Sequence, residues 1–536
     1  MIMGIDFRPR YKDYAVFAPA VSEMYVRFEG NKNPKRPMPA GLVQSDLDFL
    51  NPECPIYHIP YVLYSAGQAA KTQKIADRQD MITARDRETS TVIGDSGGFQ
   101  IQTNAIKFKG DETRNRMMNW LQKTCDWSMI LDFPTGGINI GNVDQHTDRL
   151  NEELLANPYP YTHLNKTYSI TSVEHFSEII GYPNPDIQKI GFATCLLQTI
   201  INNDYFVANR IPVGDKGSTN FLNVIQGRNV EESNVWYEHV KKFPFDAWSL
   251  ASHHKENFEM TLTRIIDMWH DGLLENRNWM HILGVGKLAN GCAYTTIQRC
   301  IREHINPNFT LSYDVSSPFT TTAFGNLFMG YTLDKSGWTI QSGWVDGREY
   351  LPGGEKADVP FLEELKKVYD QKNLVDIENG GNSRFIETEI GKKLKMGDIC
   401  VNTDPELTST WDVVAYAVLM NHNLQVHLTG VFEAQDLYDK GDKEHVPHGL
   451  LRFKEIIPEI FHCSATKGRD EALNLIRKYR KDLNFLAGDA ALAGVPDYSE
   501  FDMSSLSSHK EFAKSKKAKP VVEFKEIDTG LFDDIA

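Results

Sequence analysis

The segment Asp95-Ser96-Gly97-Gly98-Phe99-Gln100 gathers residue types that catalysis uses. Asp95 ends an apolar, β-rich run. The Gly-Gly pair opens backbone angles closed to other residues and lets a ligand approach the main chain. Phe99 offers a flat face to a flat substrate. Asp132 and Asp314 close two further apolar runs, and Gln226 closes another. Carboxylates at such positions suit proton transfer or nucleophilic attack. The plainer role of an aspartate there is to cap the helix that follows, and a bare Asp-Ser-Gly-Gly is often just a turn. The adjacent His253 and His254 invite a metal reading, but neighbours on a strand point to opposite faces and rarely share one ion.

These residues need a scaffold that brings strand ends together. Apolar runs ending in a polar residue or glycine recur at 14–19, 59–65, 91–95, 128–132, 221–226, 247–252, 280–284 and 310–314. Helix-like stretches such as 230–242, 258–270 and 294–304 fill most gaps. From Gln226 to Asp314 the repeat is about 30 residues, one strand–helix unit. The pattern predicts an α/β fold, a (β/α)8 TIM barrel with its chemistry at the C-terminal strand ends. The alternative is an open doubly wound sheet, but no Gly-x-Gly-x-x-Gly turn follows the first run. The expected organisation is a barrel over 1–330 with an insertion within 133–220, a β-hairpin-rich insertion over 331–395, a C-terminal helical subdomain over 396–499 and a flexible tail over 500–536.

Hydrophobic residues make up 41% of the 536 and aromatic residues 11%, a folded rather than disordered composition. No apolar run approaches the roughly 18 residues a membrane span needs. The stretch Met1 to Tyr14 is charged and lacks a signal core, and the seven cysteines are odd in number and unpaired in spacing. Cytoplasm is therefore the expected location. A net charge of −15 lacks the global basic footprint of a nucleic-acid binder. An acidic protein can nevertheless hold a polyanion on one basic face.

The word Asp95 to Gln100 resembles the signature Asp-Ser-Gly-Gly-Phe/Tyr-Gln of the tRNA-guanine transglycosylase superfamily. The resemblance continues in order. Leu131-Asp132 looks like the family's strand-end Phe-Asp, and Val224-Ile-Gln-Gly227 resembles its Val/Gln-Gln-Gly. His281-Ile-Leu-Gly-Val-Gly286 is close to His-Tyr-Leu-Met-Gly-Val-Gly, and Tyr313-Asp314-Val-Ser-Ser-Pro318 is similar to Phe-Asp-Cys-Val-Leu-Pro. The resemblance implies a pentosyltransferase that exchanges guanine at C1′ through a covalent glycosyl-aspartate, as in retaining glycosidases. It makes Asp314 the nucleophile and Asp95 the general acid/base. It gives Asp132 and Gln226 the guanine edge, with Phe99 and Leu283 on the two ring faces and Ser96, Gly97, Gly227 and Gly284 in the pocket wall.

Departures from the family pattern narrow the expected substrate. Pro318 is followed by Phe319-Thr-Thr-Thr-Ala-Phe324, without the arginines that grip an anticodon loop. Gly-Gly-Leu-Ala-Val-Gly, beside the incoming base's substituent, becomes Ala251-Ser252-His253-His254-Lys255-Glu256, which places Ser252 and His253 at the substrate. Of the family's zinc ligands Cys400 and His422 remain, and Asp398, Asp404 or Cys463 would have to complete a Zn2+ site. These changes match the superfamily branch, found in bacteria and phages, that inserts a 7-deazaguanine such as 7-cyano-7-deazaguanine into DNA. The expected partners are DNA, with tRNA as the alternative, and the free deazaguanine base. A duplex base would have to be flipped out to reach Asp314. A non-catalytic nucleic-acid-binding subunit is the reading from another class. Lys467, Arg469, Arg477, Lys478, Arg480 and Lys481 are expected along one helix, and Lys510, Lys514, Lys516, Lys517 and Lys519 form a second basic cluster, each a phosphate contact or a solvated surface. The end, Asp528 to Ala536 with Leu531 and Phe532, resembles a sliding-clamp-binding peptide.

Overall fold

The computed structural model describes residues 4–29, 36–140, 142–181, 188–345, 347–378, 381–404 and 409–486. Eight parallel strands form a ring: β1 (Val16–Pro19), β2 (Tyr61–Ser65), β3 (Thr91–Asp95), β4 (Trp127–Met129), β5 (Asn220–Ile225), β6 (Ala247–Leu250), β7 (Trp279–Ile282) and β8 (Thr310–Val315). β8 returns to β1 with Asp314 opposite Ala18. At the remaining seam, Val21 N–H donates to the Leu63 carbonyl at 3.0 Å, beside a parallel bridge between Ala20 and Leu63. The result is a largely closed (β/α)8 barrel surrounded by helices, not an open sheet, and all eight expected strands take part.

Side-chain alternation with a period of two fixes what enters the ring. Trp127 on β4 and Trp279 on β7 belong to non-neighbouring strands yet stack with centroids 5.0 Å apart, so they meet inside the barrel. Tyr61, at the start of β2, approaches the same indole at 6.3 Å. Aromatic side chains thus fill the N-terminal end of the ring. Each buries about 150–250 Å², which at about 25 cal/mol per Å² contributes several kcal/mol. Two residues beyond Trp279, His281 points the same way but towards the C-terminal mouth.

Between β4 and β5 lie helix Val143–Ala156, the hairpin Tyr159–His163 with Lys166–Ile170, helix Val173–Ile179 and the 22-residue helix Gln188–Asn209. After the barrel, β9 (Leu327–Asp334) pairs with both β10 (Gly337–Gly343) and β11 (Ser383–Phe385). The stretch expected to be rich in hairpins also contains helix Phe361–Glu378. Its ion pairs at i,i+4, Glu363–Lys367 at 3.0 Å and Lys366–Asp370 at 2.8 Å, are those that support helix.

Asp412 caps the 28-residue helix Val413–Lys440 by accepting from Ala415 N–H at 2.9 Å. The basic residues from Lys467 to Lys481 do not share one helix. Gly468, at φ +90°, ends helix His448–Lys467, and Arg469–Lys478 and Arg480–Leu483 follow separately. Arg469 pairs with Asp267 at 2.5 Å and Arg480 with Glu259 at 2.8 Å, so two of the six cations tie this region to the barrel helix Phe258–His270. The second basic cluster and the clamp-like peptide lie outside the described residues. Among the described residues no helix is long and apolar enough to cross a membrane.

Candidate active site at the C-terminal mouth of the barrel

Asp95 and Asp314 are the C-terminal residues of their strands or nearly so, while Asp132 and Gln226 follow the ends of β4 and β5. The barrel therefore collects all four at one mouth. Asp314 is 6% exposed. Its Oδ1 accepts from Gly284 N–H at 2.8 Å and faces His281 Nε2 at 3.1 Å. His281 Nδ1 lies 2.8 Å from Ser312 Oγ, which also accepts from the Trp279 indole N–H at 2.8 Å. A neutral imidazole serving a carboxylate must carry its proton on Nε2, leaving Nδ1 to accept from the Ser312 hydroxyl. One polar chain thus runs from the aromatic end of the barrel to Asp314.

Asp132 accepts from Gln226 Nε2 at 2.6 Å and from Ser96 Oγ at 3.3 Å. Burial, opposed by the Gln226 hydrogen bond and reinforced by nearby Asp95, pushes its pKa up to about 7. Gln226 is 1% exposed, and its Oε1 is buried with no hydrogen-bond partner. A buried acceptor left open beside a carboxylate suits an N–H donor of a planar base.

Asp95 accepts a 2.5 Å hydrogen bond from Ser65 Oγ. Burial raises its pKa, the Ser65 hydroxyl opposes that shift, and the charge of Asp314 adds to it. The influence of Asp314 on Asp95, and of Asp95 on Asp132, places the three carboxylates within one electrostatic neighbourhood.

The two glycines after Ser96 are packing joints. Gly97 has φ +81°, and a Cβ there would stand 2.5 Å from Gly67 N. A Cβ on Gly98 would stand 1.8 Å from the Asp132 carbonyl oxygen. The close approach expected of a ligand is made by the protein's own backbone, which locks the β3 loop to the β2 and β4 loops. Phe99 and Leu283 are half-buried, and Phe99 has no aromatic neighbour among the described residues.

Gly227 packs against Ser233 in helix Val230–Val240. The altered wall begins with Ser252, whose φ of +57° is rare outside glycine and whose hydroxyl accepts from Thr135 at 3.3 Å. Burial, then the Lys255 charge, hold the His253 pKa down to about 4. His254 is fully buried with Nε2 3.0 Å from Ser233 Oγ of helix Val230–Val240. Lys255 Nζ stands 4.0 Å from where a Cβ on Gly284 would be. The sequence pattern does not mark Ser65, Lys255, His281 or Ser312 as site residues. His281 opens the word His281 to Gly286, but its tie to Asp314 becomes visible only in the strand register.

The residues expected to hold zinc do not fit it as arranged. His422 Nε2 lies 2.7 Å from the Phe328 carbonyl and Nδ1 lies 2.6 Å from Thr388 Oγ1, so no ring lone pair is left for a metal. Burial keeps its pKa down to about 4. Asp398 accepts from Lys395 N–H at 2.8 Å, capping a short helix. Cys400 is fully buried, and Cys463 belongs to helix His448–Lys467, which packs elsewhere, against helix Leu288–His304. Among the described residues no group of three or more His, Cys, Asp or Glu side chains could hold a metal ion. His422 and its neighbour Asn423, which accepts from Phe328 N–H at 2.7 Å and donates to Thr322 Oγ1 at 2.8 Å, instead bind the long helix to the segment after β8.

No protein-family model matches the chain, and no curated protein is significantly similar to it.

Proposed function

We propose that the protein is a DNA-guanine transglycosylase, which exchanges guanine for a 7-deazaguanine through a glycosyl-aspartate intermediate. The observation that carries this reading is the contrast among three carboxylates at one mouth. Asp314 faces two N–H groups, while burial raises the pKa of Asp95 and Asp132. A carboxylate held by N–H donors and a second, buried carboxyl beside it are the pair that base exchange at C1′ requires.

In the proposed reaction an Asp314 carboxylate oxygen bonds to C1′ as the bond from C1′ to guanine N9 breaks. Asp95 gives its proton to the departing base. The incoming deazaguanine then loses its N9 proton to Asp95, N9 bonds to C1′, and the Asp314 ester breaks. Both carboxyl groups return to their starting states, and no external oxidant or hydrolytic water enters. Asp132 and Gln226 Oε1 orient the base through its polar edge, and the half-buried Phe99 ring stacks on it.

Sequence supports DNA over tRNA through the missing arginines after Pro318. The exposed aromatic side chains nearby, Phe324 at 50% and Trp344 at 58%, suit stacking on unpaired bases. On this reading the C-terminal region corresponds to the zinc-binding part of the tRNA enzymes, with its metal site replaced by the His422 and Asn423 hydrogen bonds.

The test incubates the protein with labelled guanine or 7-cyano-7-deazaguanine and either DNA or unmodified tRNA, followed by digestion to nucleosides. Label in deoxynucleosides is expected. Label confined to tRNA would replace DNA by tRNA as substrate, and label in neither would remove the exchange reading.

A further inference from the structure

A second feature lies on the loops that carry Ser65 and Asp95. Six residues after Ser65, Lys71 borders a cleft of about 450 Å³, whose other wall contains Lys107, Lys109 and Arg116. Four cations and one carboxylate, Glu112, line it in a chain whose net charge is −15. The cleft is built rather than a chance of flexible tips. Arg116 Nε donates to the Ala70 carbonyl at 2.8 Å, and the Arg116 side chain is 9% exposed. Glu112 lies 3.1 Å from Lys109 and 3.6 Å from Arg116, and Lys71 pairs with Glu23 at 3.1 Å. Lys107 is exposed and pairs with no carboxylate among the described residues.

Connectivity ties this cleft to the mouth. Gly97 packs on Gly67, so the loop after β3 is in direct contact with the short helix Ala66–Ala69 after β2. The helix leads to Lys71 on one side, and the loop continues through Phe99 to Lys107 on the other.

We propose that this cleft holds the phosphodiester backbone of the DNA strand whose base enters the mouth. The inference rests on the nucleic-acid reading above. It adds a location for the polyanion, on the β2 and β3 side of the barrel. Phosphates next to the extracted nucleotide lie between Lys107, Lys109 and the fixed Arg116 guanidinium, while Asn115 and Asn119 supply neutral donors.

The test measures binding of a fluorescent, guanine-free oligodeoxynucleotide to the full-length protein across a salt series. No base can be exchanged in this probe, so the result stands whatever the outcome of the labelling experiment. Each single-strand phosphate contact contributes a slope of about −0.7 in log affinity against log salt. Lys107→Gln with Lys109→Gln is expected to weaken binding at least about tenfold and flatten the slope by about 1.4. Both side chains are exposed, so the fold should persist, which circular dichroism checks. A control pair on helix Phe361–Glu378, Lys366→Gln with Lys367→Gln, changes the net charge equally and should leave binding within about twofold. Unchanged affinity and slope in the first variant, or an equal loss in the control, overturns the proposal.

Discussion

His281 Nε2 lies 3.1 Å from Asp314 Oδ1, across the β7–β8 seam, and Ser312 fixes the far side of the same imidazole. This makes His281 a positioning residue for the proposed nucleophile. A hydrogen bond to a charged group contributes about 1.5–3 kcal/mol. His281→Ala should therefore lower kcat about 10- to 100-fold with little change in KM. Asp314→Ala should abolish both exchange and the trapped covalent adduct. Normal kcat in His281→Ala would detach the histidine from the chemistry.

Ser65 controls the proton on Asp95. Its hydroxyl donates to the carboxylate and opposes the upward pull of burial. Removing it in Ser65→Ala should raise the Asp95 pKa further. An acid that must start protonated loses activity as pH rises through its pKa. The high-pH limb of kcat/KM should thus move to higher pH. A limb that stays in place or moves downward contradicts the role given to Asp95.

Asp132 should leave a mark on stability as well. Its folded-state pKa, pushed up to about 7, lies above the unfolded value near 3.9. The folded protein holds this proton more tightly, so the contribution is complete below about pH 4 and is lost as pH rises through about 7. Asp132→Asn keeps the shape without the charge. The variant's unfolding free energy should exceed that of the wild type by a margin that grows from pH 4 to 7 and then levels, the growth being at most roughly 4 kcal/mol. A margin that shrinks over this range contradicts a carboxyl strained by burial.

The barrel was legible because each strand is an apolar run closed by a polar residue, and the repeat between Gln226 and Asp314 matches one strand–helix unit. The meeting of Asp95, Asp132, Gln226 and Asp314 at one mouth was legible for the same reason, since strand ends converge in any closed ring, while their selection came from the resemblance. What the chain order hides is side-chain partnership across a seam. Ser65 and Asp95 are 30 residues apart, and His281 and Asp314 are 33 apart. Only the parallel register sets them side by side. Gly98 illustrates a second limit. Its identity is explained by the carbonyl of Asp132, a neighbour that appears only once β3 and β4 are packed. The single basic helix failed at Gly468, a left-handed residue that a charge pattern passes over.

His422 provides the remaining test, because one residue separates a metal ligand from a structural hydrogen bond. Its ring nitrogens face the Phe328 carbonyl and the Thr388 hydroxyl, and Phe361 packs edge-on against it with centroids 5.2 Å apart. Removing the ring in His422→Ala strands both polar partners in a buried site. A stability loss of at least about 1–3 kcal/mol is expected from the unpaired groups, before any cavity cost. Because the partners are protein atoms, a chelator should leave the wild-type denaturation midpoint unchanged, and the loss in His422→Ala should be equal with and without it. Stoichiometric zinc in the purified wild type, absent from His422→Ala, would give the imidazole back its metal role.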